Sequence, residues 1–388
     1  MAVAATTGIV GGILATAPAQ ATPADTSALV ELAQTYFAGE NALRVDASSR
    51  DAAKAAGTAG ALRVTDAFAK VRDDRMTARE QQRQLAARTG VHFSSVSTQV
   101  VPLGDVQRPE SGTARLGVEE RTAYTYAGGG AEPYSYRARH DLTFKRSDGQ
   151  WRISGLVTND PTGMSTPKKL SAAQMRAAVG ISEKLEAGLR STAEKRKAAS
   201  ESRVSGSQVK APGGYNYAKM VEFALRYALT PRSELPYTPD DDDCTTFVSW
   251  ALRTGGWEER SGWYRSDSAW WWKDWCDGEW YCRPQHSYTW GGATNWQRFA
   301  VNHSGRVKNL GNVWDVLLAD VVQYDVKGYG GVGVPDHTMM VTAFDWNANG
   351  MPLLSYHSSP GGEKKNKPLI DILTSDSAQG QAFWAYRT

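Results

Sequence analysis

Three residues carry the chemistry that this sequence can offer: Cys244, His337 and His357. Cys244 stands in Asp243-Cys244-Thr245-Thr246-Phe247-Val248-Ser249-Trp250, where Phe247, Val248 and Ala251 recur at helical spacing and Gly255-Gly256 stops the pattern. A Cys in the first turn of a helix lies beside unpaired backbone N–H groups and the positive end of the helix dipole. Both favour the thiolate, which is the nucleophilic form. The run Asp240 to Asp243 supplies the cap, but it opposes ionisation of the thiol unless its carboxylates are turned away. A small buried core cysteine explains Asp-Cys-Thr equally well when that tripeptide stands alone. The downstream histidine separates the two readings. His337 heads a strand pattern, and an imidazole there can take the thiol proton and form an ion pair that resists the Asp run. The Cys244 backbone N–H is then the expected oxyanion donor. His357, on the strand that returns after the turn Asn347 to Gly350, is expected to lie across from His337 and fix its ring, with Ser355 as the fallback.

Elements must hold these groups in place, and 388 residues are enough for two or three domains. With 41% hydrophobic and 22% charged residues the chain is globular and can bury sizeable cores. The formal net charge of +3 argues neither for nor against nucleic acid or an anionic polymer. Residues 1–21 read as a secretion signal: Ala2 to Leu14 is small and apolar, and Ala17-Pro18-Ala19-Gln20-Ala21 offers a cleavage site. No other stretch is long and apolar enough for a membrane span. An exported protein meets oxidising conditions, where three cysteines invite one disulfide and one free thiol. Cys276 and Cys282 are the natural pair, which leaves Cys244 free.

Residues 27–165 read as an N-terminal α+β domain. A helix from Ser27 presents Leu29, Leu32, Ala33, Tyr36 and Phe37 on one face, and an Arg-rich helix spans Val64 to Arg88. Strand patterns follow at Val91 to Val101, Thr113 to Tyr126 and Tyr134 to Phe144, with an Asp148-Gly149 turn into the next. Helices before a curved antiparallel sheet suggest a cone of the nuclear-transport-factor type, an analogy of fold that carries no chemistry. His140 reads as a satisfied core histidine. Residues 166–213 read as a linker, part helix and part coil, whose basic cluster Lys195-Arg196-Lys197 is a solvated face. Residues 214–388 hold the chemistry. Between Trp257 and Trp296 lies a stretch rich in Trp and Tyr, including Trp271 and Trp272, with no helical or strand period. Such rings suit either the wall of a cleft for a sugar or peptide polymer, or a satellite core under a long loop.

Asp243-Cys244-Thr245-Thr246-Phe247-Val248-Ser249, Gly255-Gly256, Asp336-His337 and Ser355-Tyr356-His357-Ser358 occur in the order that resembles the "putative amidase domain" family. That family is grouped with NlpC-like and CHAP-like cell-wall peptidases of the papain fold. The resemblance covers roughly Tyr215 to Thr388. It implies an α+β papain-like domain, a Cys nucleophile on a helix, a His base on the sheet and a polar third residue on the next strand. It also implies hydrolysis of amide bonds in peptidoglycan peptides, and places Tyr237 and Asp243 near the oxyanion and substrate site. This sequence departs from the family's usual pattern at Thr246, where Asn is usual, and at Trp250, where Gln is common. The expected protein is therefore a secreted cysteine amidase or peptidase acting on a cell-wall peptide or glycopeptide, with an acyl-enzyme on Cys244, no cofactor and no nucleic-acid partner. No metal is expected, because the Asp run lacks the spaced ligands and Gly of a calcium loop. The competing readings are a non-catalytic wall-binding module that works through its aromatic stretch, and a transglutaminase-like acyl transferase on the same Cys and His.

Overall fold

The longest alternating stretches of the sequence become the longest strands, because alternation lets a strand bury one face and solvate the other. The computed structural model describes residues 23–46, 63–160, 165–205, 214–240, 242–273, 285–358 and 362–388. The signal segment 1–21 and the pair Cys276 and Cys282 lie outside the described residues. Helix α1 (Pro23–Ala42) starts ahead of Ser27, and α2 (Asp66–Ala87) lies beside it. Strands β1 (Phe93–Pro102), β2 (Thr113–Tyr126), β3 (Tyr134–Ser147) and β4 (Gln150–Thr158) then form an antiparallel meander. The turn between β3 and β4 places Asp148 at φ 53° and Gly149 at φ 72°, the left-handed conformation in which these residue types are tolerated. Leu29, Leu32, Ala33, Tyr36 and Phe37 of α1 pack on Leu116, Val118, Leu142 and Phe144. His140 is buried in this layer, with Nε2 3.0 Å from Glu120 Oε2 and Nδ1 3.1 Å from Thr158 Oγ1, a core histidine with both nitrogens partnered.

The C-terminal part contributes α4 (Tyr217–Tyr227) and α5 (Cys244–Thr254). Two short helices follow, α6 (Tyr288–Gly291) and α7 (Ala293–Phe299). Its strands are β7 (Lys308–Leu310), β8 (Val321–Tyr324), β9 (His337–Asp345), β10 (Met351–Tyr356), β11 (Lys364–Pro368) and β12 (Phe383–Arg387). A two-stranded ribbon pairs Trp272–Lys273 (β5) with Gln285–His286 (β6).

The N-terminal and C-terminal strands form one sheet rather than two separate ones, in the order β1-β2-β3-β11-β10-β9-β8-β12-β7, with β4 on the far part of β3. The join is the ladder in which Lys364 faces Tyr136 and Lys365 faces Ser135. A shared core lies across it, where Phe93, Tyr124, Tyr126 and Tyr134 meet Met351, Leu353 and Tyr356. Arg44 adds a two-pronged ion pair to Asp371, with Nη2 2.9 and 2.7 Å from the two carboxylate oxygens.

The segment expected as a loose linker is a 34-residue helix, α3 (Ala172–Ser205), and it is bound into this core. Leu185 and Leu189 are buried in it. Arg196, expected on a solvated face, is buried: it donates to Gly350 O at 2.8 Å and to Asn349 O at 2.9 Å. A helix whose overall composition is polar can still be fixed when a few apolar residues and the stems of its arginines share one stripe.

Candidate active site

Helix α5 forms because Phe247, Val248, Ala251 and Leu252 fall on one face, and all four are buried. It stops at Gly255, where a Cβ would lie 2.2 Å from Met220 Cγ and 2.9 Å from Asn216 O, so no larger residue fits. Gly256 follows at φ 101°, in a conformation that favours glycine. Cys244 is the first helical residue, with Asp243 at the N-cap. It is the free cysteine of the described residues and is only 3% exposed.

The sulfur packs against the start of β9. It lies 3.9 Å from the carbonyl oxygen of Asp336 and 3.7 Å from Thr245 Oγ1, and the backbone N–H of Thr338 also faces it. Burial pushes the thiol well above its ordinary range and the Asp242 charge adds to this, against smaller opposite effects of Thr338 and Thr245. The resting thiol is therefore protonated.

The Asp run is divided among separate partners. Asp240 accepts from Thr246 Oγ1 at 2.9 Å and lies 3.1 Å from His286 Nε2. Asp242 accepts from Tyr329 Oη at 2.9 Å, and the Cys244 backbone N–H, the expected oxyanion donor, favours the charged form of Asp242. Asp243 faces away from the thiol into a buried cluster: His357 Nδ1 at 3.1 Å, Arg232 Nη1 at 3.2 Å and Tyr237 Oη at 3.3 Å. Tyr237 stacks on Trp250 at 5.5 Å, with its hydroxyl committed to Asp243.

His337 does open β9, but its ring does not meet the sulfur. Successive residues of a strand alternate between faces. Thr338 points to α5, where its Oγ1 lies 2.8 Å from Thr245 Oγ1. His337 points the other way, edge-on to Tyr356 at 4.6 Å and to Tyr324 at 5.8 Å. It is buried there and its Nε2 has no partner among the described residues. Burial first, then the Lys367 and Lys364 charges, lower its pKa to about 3, so the ring is neutral.

The expected pairing of His357 with His337 is corrected by a bulge. Leu353 faces Ala343, but Leu354 faces Val341 and Ser355 faces Met340, which leaves Thr342 as an extra residue. Opposite residues of an antiparallel pair share a face, and one extra residue exchanges the faces of everything beyond it. Continued to the strand start, this register sets His357 opposite Thr338, on the α5 face and away from the His337 ring. His357 stacks on Phe247 at 6.0 Å and places its Nε2 3.0 Å from Thr230 O. Since that carbonyl and the Asp243 carboxylate both accept, both ring nitrogens donate and His357 is an imidazolium. Despite the cost of burial, the Asp243 hydrogen bond and charge raise its pKa above 6.5. The fallback, Ser355, hydrogen-bonds with Thr342 Oγ1 at 2.7 Å and accepts from Asn366 N at 3.0 Å.

Trp271 and Trp272 are buried, which corrects their assignment to a substrate-binding wall. Trp271 Nε1 donates to Gly262 O at 2.9 Å. Trp272 stacks on His286 at 5.2 Å and packs edge-on against Trp250 at 5.6 Å. Together with Trp257, Trp270, Trp290 and Trp296 it fills the core beneath α5. The aromatic stretch has no period because the rings reach this core from irregular chain. Trp272→Phe is expected to lower stability by about 1–2 kcal/mol through lost ring volume. Urea unfolding checks this; an unchanged midpoint with weakened polymer capture would restore the binding role.

Sequence reasoning missed the polar groups around the thiol. Gln323 Nε2 donates to Thr338 Oγ1 at 2.9 Å, completing a buried Thr245-Thr338-Gln323 chain. Tyr329 comes from the Gly-rich loop. Asp336 directs its carboxylate toward the backbone N–H groups of Val326 and Gly331, and burial raises its pKa to about 6. No spacing rule links these residues; only the strand termini bring them together.

Known proteins provide three comparisons. A family model described as "Putative amidase domain" matches residues 214–384. A curated relative, an uncharacterized protein YjcM of Bacillus subtilis, is 30% identical over 152 residues, which are 38% of this chain and 31% of the relative. The chain thus spans about a third of that relative's length. A solved structure, the Kfla4162 protein from Kribbella flavida, shares 15% identity, covering 35% of this chain and 93% of that one with a TM-score of 0.21. The order of motifs around Cys244, His337 and His357 and the family match agree: residues 214–384 match the "Putative amidase domain" model, whose name points to an amidase-type hydrolase.

Proposed function

We propose that residues 214–384 hydrolyse an amide bond of a cell-wall peptide or glycopeptide, outside the cell, with Cys244 as nucleophile and His337 as base. The observation that carries this reading is local. The two backbone groups that meet the sulfur, Asp336 O and Thr338 N–H, flank His337, whose neutral ring keeps Nε2 without a partner among the described residues. The mechanism requires the His337 side chain to leave the Tyr324 and Tyr356 face and reach the sulfur. That residue follows a loop with Gly328, Gly330 and Gly333 at positive φ, a conformation that favours glycine. The thiol proton then moves to Nε2, sulfur bonds to the amide carbon, and the C–N bond breaks as the imidazolium protonates the leaving amine. Water, deprotonated by His337, releases the acid from the thioester.

The test is digestion of purified wall peptides, with mass spectrometry of the new amine termini. Loss of these termini in both Cys244→Ala and His337→Ala supports the reading; their persistence in either variant overturns that residue's role. The burial-raised thiol favours a second reading, a non-catalytic module. In that reading Cys244 resists alkylation with or without wall peptide, and no new termini form.

A further inference from the structure

Among the described residues, the aromatic stretch leaves three rings exposed, outside the core that Trp257, Trp270, Trp272, Trp290 and Trp296 fill. Trp263 is 65% exposed, Tyr264 36% and Tyr288 44%, and the other exposed large hydrophobic side chains among the described residues are all aliphatic. The three rings form one group. Trp263 and Tyr264 meet edge-on at 5.6 Å, and Tyr264 and Tyr288 at 5.3 Å. Arg265 places its guanidinium 5.2 Å from the Tyr264 ring, 5.7 Å from Tyr288 and 6.0 Å from Trp263. The Tyr288 backbone N–H donates to Tyr264 O at 2.7 Å, so the two segments that carry the rings are tied together.

The group is joined to the start of α5 through α6. Tyr288 opens α6, and Gly291 closes it against the turn that carries Cys244. A Cβ at Gly291 would lie 3.0 Å from Asp240 Oδ2 and 3.3 Å from Thr246 Oγ1. Four helical residues span about 6 Å, so α6 ties the rings to the Asp240 and Thr246 side of the α5 start.

The surroundings identify the occupant. Residues 258–265 are all exposed and contain no aliphatic side chain: two glutamates, two arginines, a serine and a glycine accompany the two rings. A protein partner would need an apolar patch with a desolvated centre. A sugar needs less. It lays its C–H face on an aromatic ring while its hydroxyl and acetamido oxygens accept from donors at the rim, here the Arg265 guanidinium. We infer that Trp263, Tyr264, Tyr288 and Arg265 form a subsite for an N-acetylated glycan strand, the part of the substrate that carries the peptide; this rests on the function proposed above.

The experiment uses the full chain carrying Cys244→Ala, so that binding is read without turnover, and two probes: a soluble N-acetylglucosamine oligomer and a sugar-free wall peptide. Calorimetry is expected to show that the oligomer binds and that Trp263→Ala and Tyr288→Ala each weaken it about tenfold. Arg265→Gln should weaken it less, and melting temperatures should hold, since these side chains are on the surface. The inference is overturned if the oligomer does not bind, if Trp263→Ala binds it equally well, or if these rings hold only the sugar-free peptide. Cleavage of that peptide by protein with an intact Cys244 is measured separately. Turnover that survives alongside a failed oligomer assay overturns the subsite alone. Turnover that survives Cys244→Ala alongside intact oligomer binding overturns the proposed catalysis alone.

Discussion

Cys244→Ala is expected to reduce amide hydrolysis at least about a thousandfold, because no neighbouring group replaces a covalent nucleophile. The fold should survive. Cys244 is buried, so the substitution removes one sulfur from a packed site and costs about 1 kcal/mol. Cys244→Ser should fold at least as well, with its hydroxyl near the Asp336 carbonyl, and remain inactive. The resting thiol makes a further expectation. Burial and Asp242 hold it protonated, so iodoacetamide labelling of the Cys244 peptide should climb with pH without a plateau across the range in which an ordinary thiol ionises. Wall peptide should accelerate labelling at neutral pH if substrate turns His337 toward the sulfur. A plateau at low pH in the free protein would mean that a thiolate–imidazolium pair already exists, and would overturn the resting state described above. Full turnover in Cys244→Ala would remove the nucleophile assignment altogether.

The second large effect is on stability. His357 and Asp243 form a buried ion pair that Arg232 and Tyr237 complete, and it fastens the N-terminus of α5 to the end of β10. Removing His357 leaves the buried Asp243 carboxylate with only Arg232 and Tyr237, so His357→Ala is expected to destabilise the protein by about 3 kcal/mol, the lower end for a broken buried pair. That is a large share of an ordinary domain's stability. The pH dependence follows from the sign of the shift. The folded pKa of His357 lies above 6.5, its ordinary value. Below 6.5 the ring is protonated in both folded and unfolded states and the contribution is complete; it is lost as pH rises through the folded pKa. His357→Gln, which has no charge to lose, should flatten that part of the stability–pH profile and keep part of the hydrogen bonding. Urea unfolding at several pH values measures all of this. A wild-type urea midpoint in His357→Ala together with lost turnover would return His357 to the role of orienting the base.

Much of this arrangement is legible in local sequence. The alternating run Tyr134 to Phe144 becomes β3, with Tyr134, Tyr136, Ala138, His140, Leu142 and Phe144 buried. Phe247, Val248 and Ala251 mark the buried face of α5, Gly255-Gly256 its end, and His337 the first residue of β9. These features depend on the chain's own period and on turn residues, so neighbours along the sequence decide them.

The sequence by itself determined which residue types stand at the helix start and the strand start, and so which family model the C-terminal part matches. The tertiary structure alone decided what those side chains meet. One extra residue, Thr342, sends His357 to Asp243 instead of to His337, because strand faces alternate with period two and a single insertion exchanges them. The join between β3 and β11 and the docking of α3 were equally invisible, and the residues alone leave open the choice between cleft wall and core for Trp271 and Trp272. Each depends on which surfaces segments far apart in the chain present to one another. Burial, and with it the protonation of Cys244 and His337, follows from that meeting and not from the residues themselves.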